Sequence, residues 1–251
     1  MNPQADKIHR LLEGRGEAVI NDHIAFRTYR SSQVGIDRFQ KVFEKYSYRA
    51  MGEYYFKEKK LYARHYENQN AELPKIFVSE LMVDQLSNSA QKLIDGLLAQ
   101  VADDFCSSAE FLYAGRPWKL GSQVYQDLMK ETEYGAWLSA FGFRANHFTV
   151  NVNRLKTFDS LNALNLFLKE NGFPLNASGG EIKGGPQAFL EQSSTMAARI
   201  SVAFDDRSLE IPSCYYEFAK RYPLENGKLY QGFVETSADK IFESTDQGKS
   251  V

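Results

Sequence analysis

Two imidazoles, two carboxylates and one guanidinium carry the chemistry open to this chain. The run Asn21-Asp22-His23-Ile24-Ala25-Phe26-Arg27-Thr28-Tyr29 has no Gly or Pro and is rich in β-branched and aromatic residues, so it reads as a strand. With a side-chain period of two, His23, Ala25 and Arg27 share one face, and Asp22, Ile24 and Phe26 the other. At about 3.3 Å per residue, His23 and Arg27 leave the backbone roughly 13 Å apart. A metal on His23 and a carboxylate on Arg27 could then hold one small anion. The simpler reading is a hydrogen-bonded histidine and a surface arginine. The histidine recurs in Ala145-Asn146-His147-Phe148-Thr149-Val150, and an acid recurs in Ser79-Glu80-Leu81 and Tyr216-Glu217-Phe218. A histidine on the first strand and a glutamate on the last, repeated twice, can bring four ligands to one pseudo-twofold cleft. Two His and one carboxylate on one face suit a divalent first-row ion with open positions, and Zn, Mn, Co, Ni and Fe all accept such a set. Glu217, among Tyr215, Tyr216 and Phe218, would cost several kcal/mol to bury unpaired. A metal or Arg221, four residues on, should therefore lie beside it.

The elements that must position these groups repeat as well. Residues 3–13 predict a short helix ended by Gly14 and Gly16. After the His23 strand come an amphipathic helix through Ile36, Phe39, Val42 and Phe43, opened by Ser31 or Ser32, and strands over 46–56, 60–67 and 75–81. Residues 84–142 change to helical spacing, with a helix opening at Ser87 or Ser89. The second half repeats the order: a strand at His147, a helix through Leu161, Leu164 and Phe167, then strands over 189–196, 198–204 and 209–218, with a turn at Asp205-Asp206-Arg207. The expected architecture is α+β, with two βαβββ modules (18–83 and 143–222) forming a curved mixed sheet around a metal cleft. A helical insertion (84–142) separates the modules, and a C-terminal segment (223–251) completes one domain over 1–251.

The 251 residues carry a formal net charge of -2, which argues against nucleic acid and anionic membrane as partners. Residues 1–14 lack the apolar run of a signal peptide, and no stretch has the length of a membrane helix. Cys106 and Cys214 are too few and too far apart for a disulfide framework, so the expected location is the cytoplasm. Oligomeric state is not legible. No phosphate loop, dinucleotide fingerprint or Gly-x-Ser-x-Gly elbow occurs. His9 reads as solvent-facing and His65 as a secondary candidate for the cleft.

Asp22 to Thr28, Asn146 to Thr149, Ser178-Gly179-Gly180-Glu181-Ile182-Lys183-Gly184, Glu191 to Thr195 and Tyr215 to Arg221 together resemble the 2-oxoadipate dioxygenase/decarboxylase family, of the vicinal-oxygen-chelate fold. The resemblance runs from about residue 18 to Thr245. It implies His23, His147 and Glu217 as metal ligands and Arg27 as the catalytic clamp for a substrate carboxylate. Gln192, Ser193 and Ser194 become polar lining. Glu80 reads, from its strand position rather than from the resemblance, as a group supporting the ligands from behind, with a fourth ligand or a structural acid as alternatives. The implied chemistry is Fe(II)-dependent oxidation of 2-oxoadipate by O2 to 2-hydroxyglutarate with loss of CO2; Zn, Ni, Co or Mn are alternative ions. Two other readings stand beside it: a glyoxalase-type isomerase or hydrolase, and a metal-free module that binds a small ligand.

Overall fold

The computed structural model describes residues 2–245, so residues 246–251 of the expected C-terminal segment lie outside the described residues. In chain order the helices are α1 (Pro3–Gly14), α2 (Ile36–Glu44), α3 (Asn88–Leu98), α4 (Phe111–Ala114), α5 (Ser122–Glu131), α6 (Glu133–Phe141), α7 (Leu161–Glu170) and α8 (Glu235–Phe242). The strands are β1 (Asn21–Tyr29), β2 (Tyr48–Phe56), β3 (Leu61–Asn68), β4 (Lys75–Leu81), β5 (Ala145–Asn151), β6 (Lys183–Gly185), β7 (Leu190–Ser194), β8 (Arg199–Ala203), β9 (Ser208–Pro212) and β10 (Tyr215–Arg221). The chain forms two compact units. Within the described residues, one comprises 2–24, His147–Ala198 and 213–245, the other Ala25–Asn146 and Arg199–Pro212.

Unit one is a mixed sheet in the order β1-β5-β10-β7-β6. β10 runs parallel to β5, with Tyr215 opposite His147 and Glu217 opposite Thr149, and antiparallel to β7, with Glu217 opposite Ser194. One face is apolar. Val150, Tyr216 and Phe218 pack with Ile8 and Leu12 of α1 and with Leu161, Leu164 and Leu168 of α7. Because side chains alternate, burying Phe218 and Val150 against the helices turns Glu217 and Thr149 to the opposite face. The register of β10 is thus set by its apolar residues, and a slip by one would put the carboxylate into the helix layer.

Unit two follows the order β2-β3-β4-β1, antiparallel between β2 and β3 and between β3 and β4. Phe26 of β1 packs against Phe39 and Phe43 of α2, with ring centroids 5.9 and 5.8 Å apart. By strand period Arg27 therefore faces away from α2.

The predicted strands of the first half match β1 to β4 closely. The second half departs from expectation at 198–218. β8 pairs with β9 in a separate two-stranded sheet rather than joining the central strands, and Ser213-Cys214 divides the expected last strand into β9 and β10. Alternate residues of β8 remain exposed, so its face is too polar for a central position. The ribbon is instead fastened by Asp206, whose carboxylate accepts bonds from the Ser122 amide and hydroxyl at 2.7 and 2.6 Å. The start of α2 also differs. Neither Ser31 nor Ser32 caps it; Gly35 precedes it, and the Ile36 amide donates to Glu80 Oε2 at 2.9 Å.

Candidate metal centre

β1, β5 and β10 each deliver one ligand. His23, His147 and Glu217 are all buried, and each offers a ligand atom within 4.8 Å of the others'. His147 Nε2 lies 3.1 Å from Glu217 Oε2, and His23 Nε2 lies 3.6 Å from Glu217 Oε1. The two imidazole centroids are 5.7 Å apart, edge to face. Tyr215 stacks on His147 at 4.5 Å and Phe233 meets His23 edge-on at 4.8 Å, so aromatic rings fix both imidazole planes.

Hydrogen bonds fix the chemical state of these groups. Asp22 Oδ1 lies 2.8 Å from His23 Nδ1. Burial would raise the Asp22 pKa, but the Arg221 guanidinium and His23 outweigh it and hold the carboxyl far below the usual carboxylate range. An ionised carboxylate can only accept, so Nδ1 carries a proton, and in the neutral imidazole Nε2 presents the lone pair. Thr149 Oγ1 lies 3.0 Å from that Nε2. Burial likewise pushes the Glu217 pKa up; the two imidazoles and the bonds from His147 and Gln192 overcome this and keep it below its ordinary value. Gln192 Nε2 donates to Glu217 Oε1 at 2.6 Å.

The donor set fits a divalent cation. His23 Nε2 and His147 Nε2 both face the buried Glu217 carboxylate, at 3.6 and 3.1 Å. Two imidazole nitrogens and one carboxylate gathered this closely are a ligand set suited to a divalent first-row ion. Neutral nitrogens and one carboxylate leave a bound M²⁺ with net positive charge, suited to an anionic chelating ligand.

The other expected site residues fall differently. Arg27 is buried, its guanidinium carbon 4.8 Å from the Tyr134 ring centroid and 4.9 Å from that of Trp137. Gln192 and Ser194 share the face of Glu217, and Ser194 bonds Ser244 at 2.8 Å. Ser193 points to the opposite face, where its hydroxyl donates to Asn165 at 2.7 Å. Glu80 is not in the ligand group: Oε1 accepts from Arg30 Nε at 2.9 Å and Oε2 from the Ile36 amide, so its carboxylate caps α2. Since α2 lies on the Phe26 side of the strands, Glu80 turns away from the face that carries Arg27. His65 is held between Tyr54 and Glu67. Arg221 does not neutralise Glu217, the alternative raised by its spacing; it makes a two-point pair with Asp22, at 2.7 and 2.8 Å.

Three contributors escaped the sequence reading. Asp22 sits beside His23, which strict alternation places on opposite faces, yet Nδ1 lies close enough to the main chain for the preceding carboxylate to reach it. Thr149 follows His147 by two and shares its face, a signal present in the strand period. Phe233 lies in an irregular segment with no period to read.

A mixed sheet that carries two histidines and a glutamate on one face, with helices on the other, is of the vicinal-oxygen-chelate type, and its three side chains could hold a metal ion. A glyoxalase-superfamily protein from Ralstonia eutropha JMP134 shares this fold, with a TM-score of 0.79 over 92% of this chain and 80% of that one at 19% identity. The chain belongs to the 2-oxoadipate dioxygenase/decarboxylase family, whose sequence model matches residues 3–114 and 96–229. The family's members are enzymes. A chloroplastic 2-oxoadipate dioxygenase/decarboxylase of Arabidopsis thaliana is 37% identical over 90% of this chain and 68% of its own length. The hydroxyglutarate synthase of Oryza sativa, solved in complex with 2-oxoadipate, is 34% identical with a TM-score of 0.87, covering 97% of this chain and 86% of that one. A protein of Shewanella frigidimarina NCIMB 400, named provisionally as a hydrolase, is 49% identical with a TM-score of 0.88 over 93% of this chain and 91% of that one. The plant relatives are named as chloroplastic, so they lend no support to the expected cytoplasmic location. Among the described residues, no helix is long and apolar enough to cross a membrane.

Proposed function

We propose that this chain is an Fe(II)-dependent dioxygenase/decarboxylase of a 2-oxo acid, converting 2-oxoadipate and O2 to 2-hydroxyglutarate and CO2. The observation that carries the reading is the buried His23–His147–Glu217 group in a chain of this family. The atoms balance without an added reductant, since the four electrons that reduce O2 come from the 2-oxo acid. Fe(II), when held by the three ligands, supplies the one-electron chemistry that lets a closed-shell acid react with O2 and the positive charge that draws its 2-oxo carboxylate.

The chain's own residues account for orientation. Arg27, the clamp that the family resemblance implies, anchors the distal carboxylate through a charge-assisted two-point pair. The aromatic platform of Tyr134 and Trp137 holds the guanidinium plane. Gln192 occupies one oxygen of Glu217 and so sets the direction of the other. Tyr215 and Phe233 exclude water from the imidazoles.

The test is O2 uptake and CO2 release by anaerobically Fe(II)-loaded protein across 2-oxo acids of increasing length, with His23→Ala as control. Equimolar uptake and release with 2-oxoadipate, lost in the variant, is the expected result. Uptake with shorter acids alone would reassign the substrate. Metal binding with no uptake on any acid would overturn the oxygenase in favour of an isomerase or hydrolase.

A further inference from the structure

The buried Arg221–Asp22 pair lies outside the ligand set and meets His23 through the Asp22 carboxylate. Asp22 Oδ1 meets both His23 Nδ1 and Arg221, while Oδ2 accepts from Arg221 Nε. Arg221 in turn donates through one terminal nitrogen to the carbonyls of Tyr230 and Gly232, at 3.0 and 2.8 Å. Its guanidinium carbon lies 5.2 Å from the Phe233 ring centroid, and that same ring meets His23 edge-on. Arg221 also ends β10, the strand that delivers Glu217 four residues earlier. One side chain therefore ties the strand carrying the carboxylate ligand, the acid behind an imidazole ligand, and the loop that covers that imidazole.

We propose that Asp22 and Arg221 are positioning residues that orient His23 and fix which of its nitrogens faces the cation. Asp22 keeps the proton on Nδ1, leaving Nε2 as donor atom, and its charge makes the imidazole a stronger ligand. Arg221 holds the carboxylate against the ring nitrogen through its two-point pair, at 2.7 and 2.8 Å. A purely structural ion pair would serve the fold equally well with or without His23; a positioning pair acts only through it.

This inference rests on the proposed cation site, and the experiment separates the two. The affinity of metal-free protein for Co(II) is measured by chelator competition, with the visible Co(II) spectrum recorded, for wild type, Asp22→Asn, His23→Ala and the double variant. Asp22→Asn retains size and shape, and thermal unfolding without metal shows whether the fold survives. The expected result is a loss of roughly 10–100-fold in Co(II) affinity for Asp22→Asn with an altered spectrum. In the His23→Ala background the same change should have little further effect, a non-additivity that a general structural role would not produce. Arg221→Lys, which keeps the charge without the two-point pair, should fall between wild type and Asp22→Asn. Equal affinity and an unchanged spectrum in Asp22→Asn, or a full additional loss in the double variant, would overturn the positioning role. Failure of the wild type to bind Co(II) would overturn the cation site itself.

Discussion

Single side chains decide the chemistry, and Arg27 is the most exposed to test. Its guanidinium is buried over two aromatic rings, a setting suited to a planar, delocalised cation and poorly suited to an ammonium. Arg27→Lys keeps the charge and loses both the stacking and the two-point grip. If Arg27 anchors the distal carboxylate, kcat/KM for 2-oxoadipate falls by roughly 10–100-fold, the equivalent of one charge-assisted hydrogen bond of about 1.5–3 kcal/mol. Co(II) affinity should stay constant, because no ligand has changed. Steady-state kinetics beside a metal titration checks both halves. The strand that carries Arg27 was legible in the sequence as β1, and the aromatic setting of Glu217 called for a partner, which the two imidazoles beside it supply. Glu80 was misleading for a physical reason. It stands one strand position beyond Ser79, and the parity of β4 sends it to α2, which only the packing of Phe26 reveals.

At the scale of elements, two acids bind backbone amides far along the chain. Glu80 accepts the Ile36 amide at the start of α2 and pairs with Arg30. Glu80→Gln should destabilise the protein by about 1–2 kcal/mol through the weakened cap and lost pair, with Co(II) affinity unchanged. A measured loss of metal affinity would restore it as a ligand. Glu17 plays the same part elsewhere, accepting the Lys156 and Thr157 amides at 2.8 and 2.6 Å and the Thr157 hydroxyl at 2.7 Å. Burial acts to raise its pKa, but the Thr157 and Lys156 bonds prevail and lower it below 4.5. A carboxyl that binds its proton less readily when folded contributes stability that is complete above the unfolded value and is lost as pH falls through the folded one. Urea unfolding should therefore show Glu17→Gln clearly weaker than wild type at pH 7, with the gap closing as pH falls through the lowered folded pKa of Glu17. The sequence could not announce either contact, since both join residues with no local spacing. Local caps were readable, as at Ser87, whose hydroxyl accepts the Ala90 amide at the start of α3. The β8–β9 ribbon was misplaced because five alternating residues say strand without saying which sheet.

Across the whole molecule, the three ligands lie in three separate stretches of chain that unit one gathers together. A bound ion joins them only in the folded state, so it stabilises by mass action: about 2.7 kcal/mol at a free concentration one hundred times Kd. Stripping the metal should lower the melting temperature. It should also raise amide exchange in Asn21–Tyr29, Ala145–Asn151 and Tyr215–Arg221 more than in Leu61–Asn68, which hydrogen-exchange mass spectrometry can resolve. Equal change in all four strands would mean the ion acts globally rather than through its ligand strands. The pattern of two histidine strands was readable as a repeat; the interleaving of units was not, because it depends on which strands pair.

That interleaving bears on how the protein can be cut. Unit one draws β1's opening residues from one end of the chain and β5, β7 and β10 from beyond Asn146, so no single scission releases it as a contiguous piece. A fragment starting at Ala145 would bring His147 and Glu217 but lack β1 and the third candidate ligand. Supplied with a peptide spanning the first 30 residues, such a fragment should regain cobalt binding by complementation, in the manner of a split reporter. The two pieces apart should not.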